Sequence, residues 1–270
     1  MALRTSEWIA FFYFGSLILT SVLLPIPSRV RRGVVSAAVT VMAVILLLAS
    51  LNGQTADTLR DWMPLMYLLA GYWLPARLVV GPLPGFEQKL MALDRRCFGR
   101  DGLTRFNTRA PRWLLDCLEL SYLFCYPMVP LGFASQYLHG CGGRADRFWT
   151  AVLVAAFFCY GLLPWFPTRP PRAVEALPPG RPSEVRELNL RILGRASHQL
   201  NTFPSGHAAA SVAVALAVAP CWPVAGLVFG VLALGIIAGS ISGRYHYAAD
   251  AVTGLIVAVI AFEISRLISN

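Results

Sequence analysis

Gly33-Val34-Val35-Ser36-Ala37-Ala38-Val39-Thr40-Val41-Met42-Ala43-Val44-Ile45-Leu46-Leu47-Leu48-Ala49-Ser50-Leu51 carries no formal charge over 19 residues. That is the length a helix needs to cross the hydrocarbon of a bilayer. The run is continuous rather than alternating, so it reads as a helix and not as a barrel strand. The whole chain agrees: 270 residues, 56% hydrophobic and only 14% charged, with a mean hydropathy of +0.59, far from a soluble domain. The expectation is an all-α, polytopic membrane helix bundle.

Seven more apolar segments flank that run, at 8–24, 62–80, 113–138, 148–166, from 206 or 207 to about 220, 222–241 and 247–268. With 33–51 they make about eight transmembrane helices. Arg4 precedes the first segment without a small-residue cleavage site after it, so it reads as a span rather than a removed signal. Residues 1–52 form two N-terminal membrane helices in this division, and 53–270 the functional bundle. Within the latter, 81–112 interleaves Lys89, Arg95, Arg96, Arg100, Arg105, Arg109 and Arg112 with Phe86, Leu90, Leu93 and Phe98, the pattern of one or two helices lying on a membrane surface. A second linker, 168–203, starts with Pro170, Pro171, Pro178, Pro179 and Pro182 and turns helix-like at Ser183.

The formal charge is +9, and Lys89 is the sole lysine among 23 cationic residues. Arginine binds phosphate as a planar fork, which lysine cannot do. The expected partners are a lipid phosphate and the bilayer, not nucleic acid, because the basic residues flank membrane spans. Eighteen of the 23 fall on one side of an eight-span chain. The positive-inside rule puts that side in the cytoplasm and both termini outside. The six cysteines form no CxxC pair and read as small core or lipid-facing residues.

Three polar islands interrupt the apolar pattern, all on the arginine-rich side. Asn201-Thr202-Phe203-Pro204-Ser205-Gly206-His207 leads into a span. Ser205 is a suitable N-cap, and the N–H groups after it could hold a phosphate oxygen. On its own such a turn is weak evidence of function. Gly243-Arg244-Tyr245-His246-Tyr247-Ala248-Ala249-Asp250 adds spacing: His246 and Asp250 are four apart, so on a helix they share a face. The carboxylate can then hold one ring nitrogen and leave the other free to act as a nucleophile. An Asp at the end of a span is costly unless paired. The third island, 166–172, supplies Arg169 and Arg172, fixed in direction by Pro167, Pro170 and Pro171.

These residues resemble the type 2 phosphatidic acid phosphatase superfamily. The likeness rests on Arg169-Pro170, Pro204-Ser205-Gly206-His207, and Arg244 with His246 and Asp250, and covers roughly 148–268. It implies a six-helix catalytic core within the bundle. It further implies an integral-membrane lipid phosphatase that hydrolyses a lipid phosphate monoester or pyrophosphate through a phosphohistidine, using no metal and no cofactor. His246 would attack phosphorus, Asp250 orient it, and His207 serve the leaving alcohol as acid and then the incoming water as base. Arg169, Arg244, Ser205, Gly206 and, less directly, Arg172 would bind the phosphate oxygens.

Two departures stand out. Where the family's first motif has a lysine, this chain has Leu162, so a phosphate contact must come from elsewhere, with Arg172 or Lys89 as candidates. The compact Arg244-Tyr245-His246-Tyr247 and the stretch Leu93-Asp94-Arg95-Arg96-Cys97-Phe98-Gly99 are similar to the inositol phosphorylceramide synthase-like branch. That branch implies a phosphotransferase moving a phospho-headgroup, such as phosphoinositol, to an acceptor lipid. A transporter or channel lined by Asp116, Glu119, Asp250 and the arginines is the alternative of another class. The expected location is a cell's inner membrane, with the site on the cytoplasmic face. Among the remaining polar groups, Asp116 and Glu119 read as an interfacial cluster with Arg109 and Arg112, or as headgroup ligands. Glu263–Arg266 reads as a structural pair, His139 falls on the opposite face, and His198 and Gln199 have no assigned role.

Overall fold

The computed structural model describes residues 2–175 and 183–269; the linker prolines 178, 179 and 182 lie outside them. The described residues form helices α1 (Thr5–Leu23), α2 (Ser28–Ser50), α3 (Gln54–Trp62), α4 (Pro64–Ala76), α5 (Pro84–Phe98), α6 (Gly102–Arg109), α7 (Arg112–Leu123), α8 (Met128–Gln136), α9 (Ala145–Leu162), α10 (Pro171–Val174), α11 (Glu184–Ala196), α12 (Gly206–Val218), α13 (Pro223–Ser242) and α14 (Ala248–Ile268). Proline sets many of these limits. It stands in the first turn of α4, α5, α10 and α13, where its missing N–H costs nothing.

Among the described residues, five stretches are long and apolar enough to cross a membrane: Thr5–Leu23, Ser28–Ser50, Met128–Leu162, Pro223–Ser242 and Ala248–Ile268. The third is bent, since Gly140 adopts φ +88° and divides it into α8 and α9. Of the other expected spans, 62–80 and 206–220 become the 13-residue helices α4 and α12. The expected span 113–138 is broken at Pro127, between α7 and α8, because proline cannot donate to the preceding turn. The segment 81–112 forms two helices, α5 and α6. The chain is thus a multi-pass helical membrane protein.

Helix α9 lies at the centre, packed by α1, α4, α12 and α14, and most of its residues are buried. Ala208, Ala209 and Ala213 on α12 are buried, small enough for neighbouring backbones to approach closely. The outer helices turn Phe12, Leu19, Leu47, Leu227, Val231 and Leu234 outward, which suits hydrocarbon as the surroundings.

The bundle has two distinct ends. At one, Asp146 accepts from the N–H groups of Thr5 and Ser6, Arg4 pairs with Asp61, and Cys141 is disulfide-bonded to Cys221. This corrects the reading of all six cysteines as unpaired; Cys97, Cys117, Cys125 and Cys159 are free. The partners stand 80 residues apart, so no local spacing announced them. They meet because the α8–α9 and α12–α13 connections close at the same end. His139 is there too, stacked on Trp222 at 4.5 Å. The three polar islands meet at the other end.

Candidate active site

Backbone hydrogen bonds stitch the islands together. Asn201 N–H donates to Thr168 O at 2.7 Å, Arg172 N–H to Arg244 O at 3.0 Å, and Ser205 N–H to Asp250 O at 2.8 Å. The Asn201 side chain adds a bond to Tyr245 O at 2.7 Å. Each island is therefore fixed to the other two by main chain.

His246 and Asp250 form the pair that their spacing predicts: Nδ1 lies 3.0 Å from Oδ2, both side chains buried. Burial, with the nearby Arg172 charge, pushes the His246 pKa down to about 3, so the imidazole is neutral at ordinary pH. A neutral ring donating from Nδ1 to the carboxylate presents an unprotonated Nε2. The His207 ring stands 5.8 Å from that of His246, centroid to centroid and nearly perpendicular.

A small cavity lies among Arg172, His198, Asn201, Thr202, His207 and His246. A second, much larger cavity of about 440 Å³ also touches His207, and between α4, α8, α9 and α12 it is lined by Leu65, Leu69, Trp73, Val129 and Ala210. Tyr72, Tyr160 and His207 belong to both. His207 thus stands where a polar chamber meets an apolar one.

The arginines are placed differently from one another. Arg172 lines the polar cavity, its guanidinium 4.9 Å from the Tyr245 ring centroid, and among the described residues no carboxylate pairs with it. Arg169 instead grips Glu87 of α5, Nη2 to Oε2 at 2.8 Å. Burial acts to raise the Glu87 pKa, yet the Arg169 hydrogen bonds outweigh it and the carboxyl titrates below its usual range. Arg244 pairs with Glu175 and faces a separate hollow with Asp94, Arg95 and Arg100. Neither Arg169 nor Arg244 lines the cavity of the two histidines. Arg172, the weaker candidate from sequence, does.

Two expected phosphate ligands already have partners within the turn, although the Ser205 hydroxyl keeps its own hydrogen to donate. The Gly206 N–H donates to Thr202 Oγ1 at 3.0 Å, and Ser205 Oγ accepts from Ala208 N–H as the α12 cap. Glu119 does not cluster with Arg109 and Arg112; it accepts from Arg186 at 2.6 Å, Asn189 at 2.7 Å and the Tyr245 hydroxyl at 2.5 Å. Glu263 and Arg266 do pair, at 3.0 Å. Leu162, in the lysine position, is the last residue of α9 and only partly buried. His198 and the tyrosines around His207 carried no motif that would have marked them.

The fold and the cavity together define an integral-membrane helix bundle with two facing histidines at one end. Comparison with protein families identifies the group: the PAP2 superfamily model matches residues 88–264, well over half of the chain, and the chain belongs to that superfamily. The match runs from α5 into α14. The reaction is accordingly of the phosphatase or phosphotransferase type. Searches of curated proteins and of solved structures found no match.

Proposed function

We propose that this protein is a lipid phosphatase that works through a phosphohistidine on His246. The observation that carries the reading is the position of His207, shared between the cavity of Arg172 and His246 and the 440 Å³ apolar cavity. A phosphate in the first and a hydrocarbon chain in the second would place the bridging oxygen beside His207. A soluble phosphate would have no use for the second.

His246 Nε2 attacks phosphorus while the bond to the alcohol oxygen breaks, and that oxygen takes a proton from His207, which enters the step as imidazolium after receiving a proton from the monoanionic phosphate and leaves it as neutral imidazole. Asp250 stabilises the positive charge gained by the imidazole. Arg172 faces the phosphoryl oxygens, where preorganised charge is most effective. Arg169 and Arg244 can join only by exchanging Glu87 and Glu175 for phosphate. His207, now a base, takes a proton from water; the oxygen attacks phosphorus, the P–N bond breaks, and phosphate leaves.

Labelled phosphatidic acid, presented to the purified protein in mixed micelles with and without an acceptor lipid, tests this. Free inorganic phosphate is the expected product, lost in His246→Ala. Full turnover in that variant would end the mechanism. Label appearing only in a new lipid would replace hydrolysis by the transfer that the compact Arg244-Tyr245-His246 motif resembles. We further propose that the site faces the cytoplasm.

A further inference from the structure

His198 lines the polar cavity beside Arg172, His207 and His246, and the mechanism above gives it nothing to do. Aromatic neighbours and one backbone hydrogen bond hold its ring. The ring lies on Tyr72 at 4.6 Å between centroids, with Trp73 edge-on at 6.3 Å. The backbone N–H of Leu200 donates to its Nδ1 at 3.3 Å.

That last bond fixes the tautomer. A neutral imidazole has one accepting and one donating nitrogen, so an accepting Nδ1 puts the proton on Nε2. Burial, with the nearby His207, keeps the ring neutral, its pKa pushed down to about 4. The Nε2–H is buried, and among the described residues it has no hydrogen-bond partner. Buried donors are normally satisfied; this one stands at the wall of the cavity that Arg172 and the other two histidines also line.

Other donors to an anion there are few: Arg169 and Arg244 are held by Glu87 and Glu175, Gly206 N–H is taken by Thr202, and of the three arginines Arg172 alone lines the cavity. We propose that His198 is a third histidine of the phosphoryl site, donating its Nε2–H to an equatorial phosphoryl oxygen beside Arg172. The proposal rests on the phosphohistidine reading. It is separable from that reading because His198 forms no bond to phosphorus.

Orthovanadate, which adopts the five-coordinate geometry of phosphoryl transfer, probes the contact without knowledge of the lipid. Binding to the detergent-solubilised protein is followed by vanadium NMR in wild type, His198→Phe, His198→Leu, His198→Gln and His246→Ala, with thermal unfolding as the check on folding. Phe keeps the stack on Tyr72 and Leu gives a second donor-free side chain should Phe fail to fold. Losing one hydrogen bond to a charged group is expected to weaken vanadate about tenfold to a hundredfold in either. Gln, whose amide N–H reaches the same region, is expected to retain most of the affinity. Wild-type affinity in a folded donor-free variant, with binding lost in His246→Ala, overturns the role of His198 and leaves the phosphohistidine reading standing. Undiminished binding in His246→Ala overturns the phosphohistidine reading and this proposal with it.

Discussion

Asp250→Asn isolates the largest electrostatic contribution assigned to the site. The substitution keeps shape and leaves an amide against His246 Nδ1, but removes the charge. Before attack the imidazole is neutral, its pKa held near 3 by burial and Arg172, so the carboxylate gains little from it. Once Nε2 bonds to phosphorus the ring carries a positive charge with Asp250 Oδ2 at 3.0 Å. A unit pair at that distance is worth about 5.5 kcal/mol at an effective dielectric of about 20. The amide dipole keeps part of this, leaving a loss of about 3–5 kcal/mol, or a fall of about a hundredfold to several thousandfold in rate. Because the interaction develops after substrate binds, the loss belongs in kcat with KM little changed. Steady-state assays on phosphatidic acid in micelles read both constants, and an unaltered unfolding midpoint excludes misfolding. A fall of less than about tenfold, or one confined to KM, would refute the assignment of Asp250 as the stabiliser of phosphohistidine.

Three other substitutions test the surrounding structure. Glu119→Ala strips the acceptor from Arg186, Asn189 and Tyr245 together; breaking such a buried pair costs about 3–5 kcal/mol, read as a lower unfolding temperature in detergent, with Glu119→Gln milder. Asp94, which accepts from Ala248 N–H at 3.0 Å, has its pKa raised to about 6, chiefly by burial. The native state then holds more protons than the unfolded one between about pH 4 and 6, so stability falls as pH rises through that window. Asp94→Asn should flatten this slope, by about 1 kcal/mol once screening of a partly exposed group is allowed for. Gly206→Ala would place a Cβ 2.3 Å from Tyr160 Cε1. The displacement this forces on the start of α12 should cut turnover about a hundredfold with little change in expression.

Much of the architecture could be read from the chain because bilayers impose simple rules. Long apolar runs became α1, α2, α13 and α14, and three polar islands on one side of the alternation did meet. The i, i+4 spacing of His246 and Asp250 yielded a contact, although the helix itself starts only at Ala248. What escaped was decided by tertiary neighbours. Arg169 and Arg172 look alike in Arg-Pro-Pro-Arg, yet Glu87 lies 82 positions before Arg169 and captures it, while Arg172 is turned to the histidines by its backbone bond to Arg244. Thr202 is four residues from Gly206, but only the folded turn shows that its hydroxyl occupies the N–H. The Cys141–Cys221 bond depends on two connections closing at one end, and His198 on the bond from Leu200 that fixes its proton.

The assignment of the site to the cytoplasmic face draws on two unrelated properties of the bundle's ends. Charge is the first, and it has a built-in bias, because arginines that bind phosphate enlarge the count wherever they face. Setting aside Arg169, Arg172 and Arg244 still leaves fifteen basic residues against five, so the asymmetry does not depend on the site. Redox chemistry is the second. Disulfides persist in oxidising compartments and are rare in the cytosol, and Cys141–Cys221 lies at the end away from the histidines. Ser183 opens α11 on the site's side and offers the test. Ser183→Cys, with Cys97, Cys117, Cys125 and Cys159 replaced and the disulfide kept, is expected to react with a membrane-impermeant maleimide only after cells are opened. Labelling in intact cells would put the disulfide in the reducing compartment and the arginine-rich face outside, against both arguments at once.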